Sequence, residues 1–178
     1  MTFWKFFFKY KNSVKLNTEI LESDQETTVF ITKKYDNQEQ RNIYLSINKK
    51  VNLYDLERLC DSVGWVRRPF KKVKIALANS FLTVSLFSYK NNRKKLIGFA
   101  RVTSDGSFNA TIWDVAIDPE FQGKGLGKTL MNEVIKELRN QDIGTITLFA
   151  DPEVIKFYKH IGFIIDPDGV KGMFWYPI

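Results

Sequence analysis

Apolar and polar residues alternate across residues 81–89, which predicts a β-strand, and residues 96–102 and 108–117 read as the strands that follow it. Asn91-Asn92-Arg93 and Ser104-Asp105-Gly106-Ser107 interrupt the alternation with turn-forming residues, so the three strands read as consecutive hairpins. Downstream the period lengthens. Leu126, Leu130, Val134 and Leu138 fall on one face of a helix that ends near Asn140. Upstream, Leu53, Leu56, Leu59 and Val63 predict a helix over 53–63, with Asn52 as its cap and Gly64 as its stop. A break at 65–69 separates it from a second short helix over 70–79.

Shorter signals fill the ends. Residues 29–34 and 43–47 read as strands, parted by Asp36-Asn37-Gln38, and 145–150 as a compact buried strand. Pro152 suits the first position of a helix running to 161, because its missing N–H costs nothing there, and Gly162 stops it. Residues 163–165 and 173–176 read as closing strands, while 11–28 are polar and read as tail or linker. The expected division is a tail over 1–28 and one domain over 29–178. Hairpins first and strand–helix–strand units after predict an α+β fold on a mixed sheet.

Composition narrows the class. With 178 residues, 44% hydrophobic and 26% charged, the chain suits one folded domain with a real core. A single Cys excludes an intramolecular disulfide framework, and one His with one Cys argues against a structural zinc site, so no metal is expected. The net charge of +7 suits attraction of a polyphosphate ligand or of nucleic acid. The lysines are spread out and form no recognised nucleic-acid module, so no nucleic acid is expected. No apolar run is long enough for a transmembrane span. The start, Met1-Thr-Phe-Trp-Lys-Phe-Phe-Phe-Lys, lacks the uninterrupted apolar region of a secretory signal and the Ser and Arg of a transit peptide. It reads as a tail or as packed on the domain, with an interfacial membrane contact as the alternative.

The candidate chemistry begins at Val115-Ala-Ile-Asp-Pro-Glu-Phe-Gln-Gly-Lys-Gly-Leu-Gly-Lys-Thr-Leu130, a strand running through a glycine-rich turn into the apolar-striped helix. Such a turn leaves backbone N–H groups aimed outward at a helix N-terminus, where the peptide dipoles add positive charge. That is a pyrophosphate cradle. The Walker spacing is absent, and Gly123-x-Gly125-x-Gly127 is not the dinucleotide Gly-x-Gly-x-x-Gly. Gln122-Gly123-Lys124-Gly125-Leu126-Gly127 instead fits Gln/Arg-x-x-Gly-x-Gly/Ala, and so resembles the acetyl-CoA-binding motif of the GCN5-related N-acetyltransferase (GNAT) family.

The resemblance covers roughly residues 43–178. It implies a mostly antiparallel central sheet with two splayed strands, flanked by helices. It implies that Gln122, Gly123, Lys124, Gly125, Leu126, Gly127 and Lys128 hold the coenzyme phosphates. The backbone of Val115, Ala116 and Ile117, following Trp113 and Asp114, would pair with pantetheine as an added strand. Asp151-Pro-Glu-Val-Ile-Lys-Phe-Tyr158-Lys-His-Ile-Gly162-Phe163 matches the family's second signature at Tyr158, Gly162 and Phe163, with Asp151 in place of the usual Asn and Val154 in place of Ala. Tyr158 is then the expected general acid for the departing thiolate, and Asp151 a coenzyme contact. Thr111 stands where histone-type members carry a Glu base. Asp114 and Asp151 are the remaining carboxylates, acting directly or through water, with an ion pair or turn contact at the strand bulge as the other reading of Asp114. His160 reads as a surface residue and Cys60 as core.

Gly64-Trp65-Val66-Arg67-Arg68-Pro69, Phe108-Asn-Ala-Thr-Ile-Trp-Asp114, Leu148-Phe-Ala-Asp151 and Lys171-Gly-Met-Phe-Trp-Tyr-Pro177 resemble the plastid and cyanobacterial branch of the family. That branch implies acetyl transfer from acetyl-CoA to a primary amine, either an arylalkylamine such as serotonin or a protein lysine or N-terminal amine. Aromatics at Trp65, Phe70, Phe174 and Trp175 suit an acceptor mouth or a packed core alike, and Arg67 and Arg68 suit phosphate, an acidic peptide or solvent. The Lys, Asn, Ile and Phe bias and the lack of a transit peptide suit a plastid-encoded protein, with a cyanobacterial cytoplasm as the alternative. A catalytically silent acyl-CoA-binding or partner-binding module stays open, and so does a homodimer.

Overall fold

The computed structural model describes residues 20–23, 26–35, 39–90, 93–166, 168–169, 172–173 and 175. One sheet runs in chain order, β1-β2-β3-β4-β5-β6-β7. Its strands are β1 (Ile20–Ser23), β2 (Glu26–Tyr35), β3 (Glu39–Ile47), β4 (Leu82–Lys90), β5 (Arg93–Ser104), β6 (Asn109–Ile117) and β7 (Thr145–Leu148). Neighbours pair antiparallel except β6 and β7, which are parallel because helix α3 (Leu126–Asn140) carries the chain back between them. Helices α1 (Leu53–Ser62) and α2 (Phe70–Ala78) fill the connection from β3 to β4.

The two faces of the sheet carry separate cores. On one, Leu126, Leu130, Met131, Val134 and Leu138 of α3 are buried against Val84, Leu86, Ala100, Val102 and Ile112. Each large aliphatic side chain buried this way contributes about 1.5–3 kcal/mol, so α3 is firmly anchored. On the other, Leu56, Leu59 and Cys60 of α1 pack with Leu77, Phe87, Leu96, Phe99 and Ala116. The expected α1 cap is present, with the Asn52 side chain accepting from the N–H groups of Tyr54 and Asp55, and Gly64 turns at φ 79°.

Four sequence expectations change. Strand β1 and the start of β2 lie within the stretch read as tail or linker; a backbone hairpin at a sheet edge needs no apolar run to announce it. Strand β7 is half exposed rather than buried, because it pairs with β6 alone among the described residues. The helix expected over 152–161 is a 3-10 turn, Pro152–Val154, followed by α4 (Ile155–His160). Residues 163–165 form no strand, nor do Met173 and Trp175; Phe174 and Tyr176 lie outside the described residues, as does the aromatic N-terminus. No helix among the described residues is long and apolar enough to cross a membrane.

Candidate active site

Strand β6 changes phase halfway along. Phe99 pairs with Ala116 and Arg101 with Trp113, so Ala100 stands opposite both Asp114 and Val115. The extra residue is a β-bulge, with Asp114 held at φ 56°. Before the bulge Ala110 and Ile112 face α3; beyond it Val115 and Ile117 take that side and Ala116 turns toward α1. The ladder to β7 ends at Ile112 opposite Leu148. Past that point the β6 edge that faces away from β5 carries no strand among the described residues, so residues 113–117 present a backbone edge to which an extended chain can add.

That edge leads into the cradle. Asp118 accepts the N–H of Glu120 at 3.0 Å and starts a 3-10 turn, Pro119–Phe121, which drops Phe121 into the core. The Gln122 side chain donates to Ile117 O at 2.9 Å, fastening the loop to the strand it leaves. Gly123 and Gly125 sit at φ 70° and 77°, a left-handed conformation that favours glycine. Gly127 has a different requirement: a Cβ there would meet the Phe157 ring at 3.3 Å. The first bond within α3 is Thr129 N–H to Gly125 O, and Gly125 brings no side-chain cap. The N–H groups of Leu126, Gly127 and Lys128 therefore have no helical partner, and no acidic residue occupies the first turn. Lys128 is exposed there, with no hydrogen bond or ion pair among the described residues. Lys124 bends back to Glu120 O at 2.8 Å. A pyrophosphate suits this turn in charge and in donor direction.

Across the loop, Tyr158 lies half buried on α4 between the rings of Phe157 and Phe163, at 5.1 and 5.9 Å. Its hydroxyl makes no hydrogen bond among the described residues. Burial, and then the negative charge of Asp151, push the phenol above its ordinary value, so it stays protonated at neutral pH. Asp151 is exposed and its side chain makes no capping bond.

Asp114 is engaged on both oxygens. Arg68 Nη1 donates to Oδ1 at 3.0 Å and Arg101 Nε to Oδ2 at 2.8 Å. Arg68 Nη2 also reaches Cys60 Sγ at 3.8 Å. Burial pushes the Cys60 thiol up and Arg68 only partly offsets it, so the buried sulfur is a neutral acceptor. Arg67 pairs instead with Asp61 at 2.7 Å. His160 is exposed, its ring against Lys156 O. Thr111 faces Thr147, their hydroxyls 3.0 Å apart. Phe70 packs edge-on against Tyr54, and Trp65 and Trp175 are exposed.

One feature escaped sequence reasoning outright, and of a second, the ion pair read for Asp114, the sequence did not show the partners. The rings of Trp113 and Phe149 lie 5.6 Å apart, tilted by 36°, where β6 and β7 part, both with exposed surface. The Arg68–Asp114–Arg101 cluster joins the α1–α2 loop to the bulge. Neither leaves a local signal, since their partners lie 36, 46 and 13 positions apart.

Comparison with known proteins agrees with this geometry. Residues 50–163 match the model of the acetyltransferase (GNAT) family. The chain is 62% identical to an uncharacterized N-acetyltransferase, ycf52, of Gracilaria tenuistipitata var. liui, over 100% of both chains. It is 49% identical to GCN5-related N-acetyltransferase 2, chloroplastic, of Arabidopsis thaliana, covering 76% of this chain and 58% of that one. A GNAT-family acetyltransferase of Streptococcus pneumoniae shares the fold, with a TM-score of 0.64 at 23% identity over 76% of this chain and 98% of that one. Cradle, free strand edge and family match coincide on one stretch of sequence, and the chain belongs to the acetyltransferase (GNAT) family.

Proposed function

We propose that this protein moves the acetyl group of acetyl-CoA directly to a primary amine. The observation that carries the reading is the continuity of the free β6 edge with the N-terminal turn of α3: one line of backbone offers pairing for pantetheine and then N–H groups for pyrophosphate. Gly123, Gly125, Lys128 and the first-turn N–H groups would hold the phosphates, and Val115, Ala116 and Ile117 the arm. Acetyl-CoA supplies an activated thioester. The amine nitrogen bonds to its carbonyl carbon, the carbon–sulfur bond breaks, and the sulfur leaves with the electron pair. Tyr158 gives that sulfur its proton, a role that its protonated state and unengaged hydroxyl support. An N–H on the β6 edge, that of Ile117, would steady the carbonyl oxygen. The acceptor's proton goes through water to Asp151, a carboxylate with no hydrogen-bonded side-chain partner among the described residues.

On the acceptor side, the Trp113–Phe149 platform suits the flat ring of an arylalkylamine such as serotonin and also the aliphatic stem of a protein lysine. The plastid-associated names among the relatives support a plastid location. Tyr158→Phe tests the assignment. Because the hydroxyl has no hydrogen bond to lose among the described residues, folding and coenzyme affinity should hold while kcat falls about 10²- to 10⁴-fold. Unchanged kcat would remove Tyr158 from the chemistry, and coenzyme binding without any wild-type turnover would favour a silent binding module.

A further inference from the structure

Asp114 occupies the position that decides the phase of the coenzyme strand. Without the bulge, strict alternation would place Ala116 on the side of Ile112, and Val115 and Ile117 on the opposite side. Asp enters the left-handed region more readily than most L-residues, and Asp142 does so at φ 58°, so what sets Asp114 apart is that both of its carboxylate oxygens are gripped. Two guanidiniums supply that grip. Arg101 grips the carboxylate from the neighbouring strand, and Arg68 grips it from the α1–α2 loop, 46 positions away in sequence. Arg68 spans a second element through Cys60 of α1, a bridging geometry that suits a planar fork and not a lysine ammonium. Burial alone would lower the Arg68 guanidinium, but the charge and hydrogen bond of Asp114 hold it above its ordinary value. Beside the clamp, a shallow open cleft between α1 and α2 is lined by Leu56, Cys60, Val66, Arg68, Phe70 and Val73.

We propose that Arg68 is a positioning residue that locks the α1–α2 loop onto the Asp114 bulge, and that Asp114 serves as the anchor of this clamp and not as the acceptor of the amine's proton. The clamp sets the phase of residues 115–117 and ties the wall of the cleft to the strand on which the thioester would lie. Its catalytic readout rests on the acetyltransferase reading above; its structural readout does not.

The test is a double-mutant cycle of Arg68→Ala, Asp114→Asn and the pair, with Arg68→Lys as the conservative variant. Each single change should lower kcat/KM about 10- to 100-fold, the scale of a misplaced reacting group. The pair should lie within about threefold of the worse single, as expected for two ends of one contact. The fall of rate toward low pH should keep its midpoint in Asp114→Asn, and Arg68→Lys should recover only part of the loss. Hydrogen exchange read on peptides spanning 113–117 should quicken in Arg68→Ala, whether or not the protein turns over. The proposal is overturned if Asp114→Asn abolishes the low-pH fall while Arg68→Ala keeps wild-type rates, which would make Asp114 the base. It is also overturned if exchange over 113–117 is unchanged. Absence of wild-type turnover would refute the acetyl-transfer reading alone, leaving exchange to decide the clamp.

Discussion

Placing a methyl group at Gly123 separates the cradle's backbone conformation from its packing. A Cβ at this position meets nothing within 4 Å among the described residues, so sterics with them contribute nothing. The cost is that of an L-residue at φ 70°, about 1–2 kcal/mol. The five buried residues of α3 prevent the helix from melting to escape it. The loop can stay left-handed, and the cost then appears in stability as about 2–8 °C of Tm for a domain of this size. It can instead relax to negative φ and turn its N–H groups from the anion, and the cost then appears as about 5- to 30-fold weaker coenzyme A binding. Thermal melts with and without coenzyme A, together with calorimetric titration, read both quantities. Gly125→Ala should behave alike, because Gly125 has φ 77° and ψ 3°. Gly144→Ala is the control: its new methyl meets only Phe108 O at 3.8 Å, and Gly144 is not among the left-handed glycines. A Gly123→Ala protein with wild-type Tm and wild-type affinity would refute the left-handed cradle.

Two further outcomes follow from other parts of the sheet. Asp105 accepts the N–H groups of Asn109, Ser107 and Phe108, which hold its carboxyl at about 2, below the ordinary 3.8. A depressed folded value means stabilisation that is complete above the unfolded value and lost as pH falls from about 4 toward about 2, so Asp105→Asn should flatten the pH dependence of urea midpoints in that window. Ser85 Oγ is buried in β4 without a hydrogen-bond partner among the described residues, so Ser85→Ala should leave stability unchanged or raise it by up to about 1 kcal/mol in urea unfolding. A loss larger than about 1 kcal/mol would show that the hydroxyl has a partner.

The legible parts of this protein were those written locally. Alternation at 81–89, the turn at 104–107 and the Leu126–Leu138 stripe gave β4, β6 and α3 to within a residue or two. Gly123 and Gly125 announced left-handed backbone because few other residues tolerate it. What sequence could not show depends on pairing across long separations. A strand bulge with an ion pair or turn contact was one reading of Asp114, but its register against β5 shows only in the sheet, and the reach of Arg68 only once α1 and α2 are docked. The half-exposed β7 read as buried because four successive residues of strand type carry no mark of how many neighbours the strand will have.

Acetyl-CoA turnover followed as free thiol, with serotonin, tryptamine, spermidine and lysine-bearing or free-N-terminal peptides as acceptors, tests the central claim most directly. Amine-dependent thiol release, matched by an equal amount of acetylated amine and lost in Tyr158→Phe, is the expected result. Thiol release no faster than the protein-free background with every acceptor would contradict it.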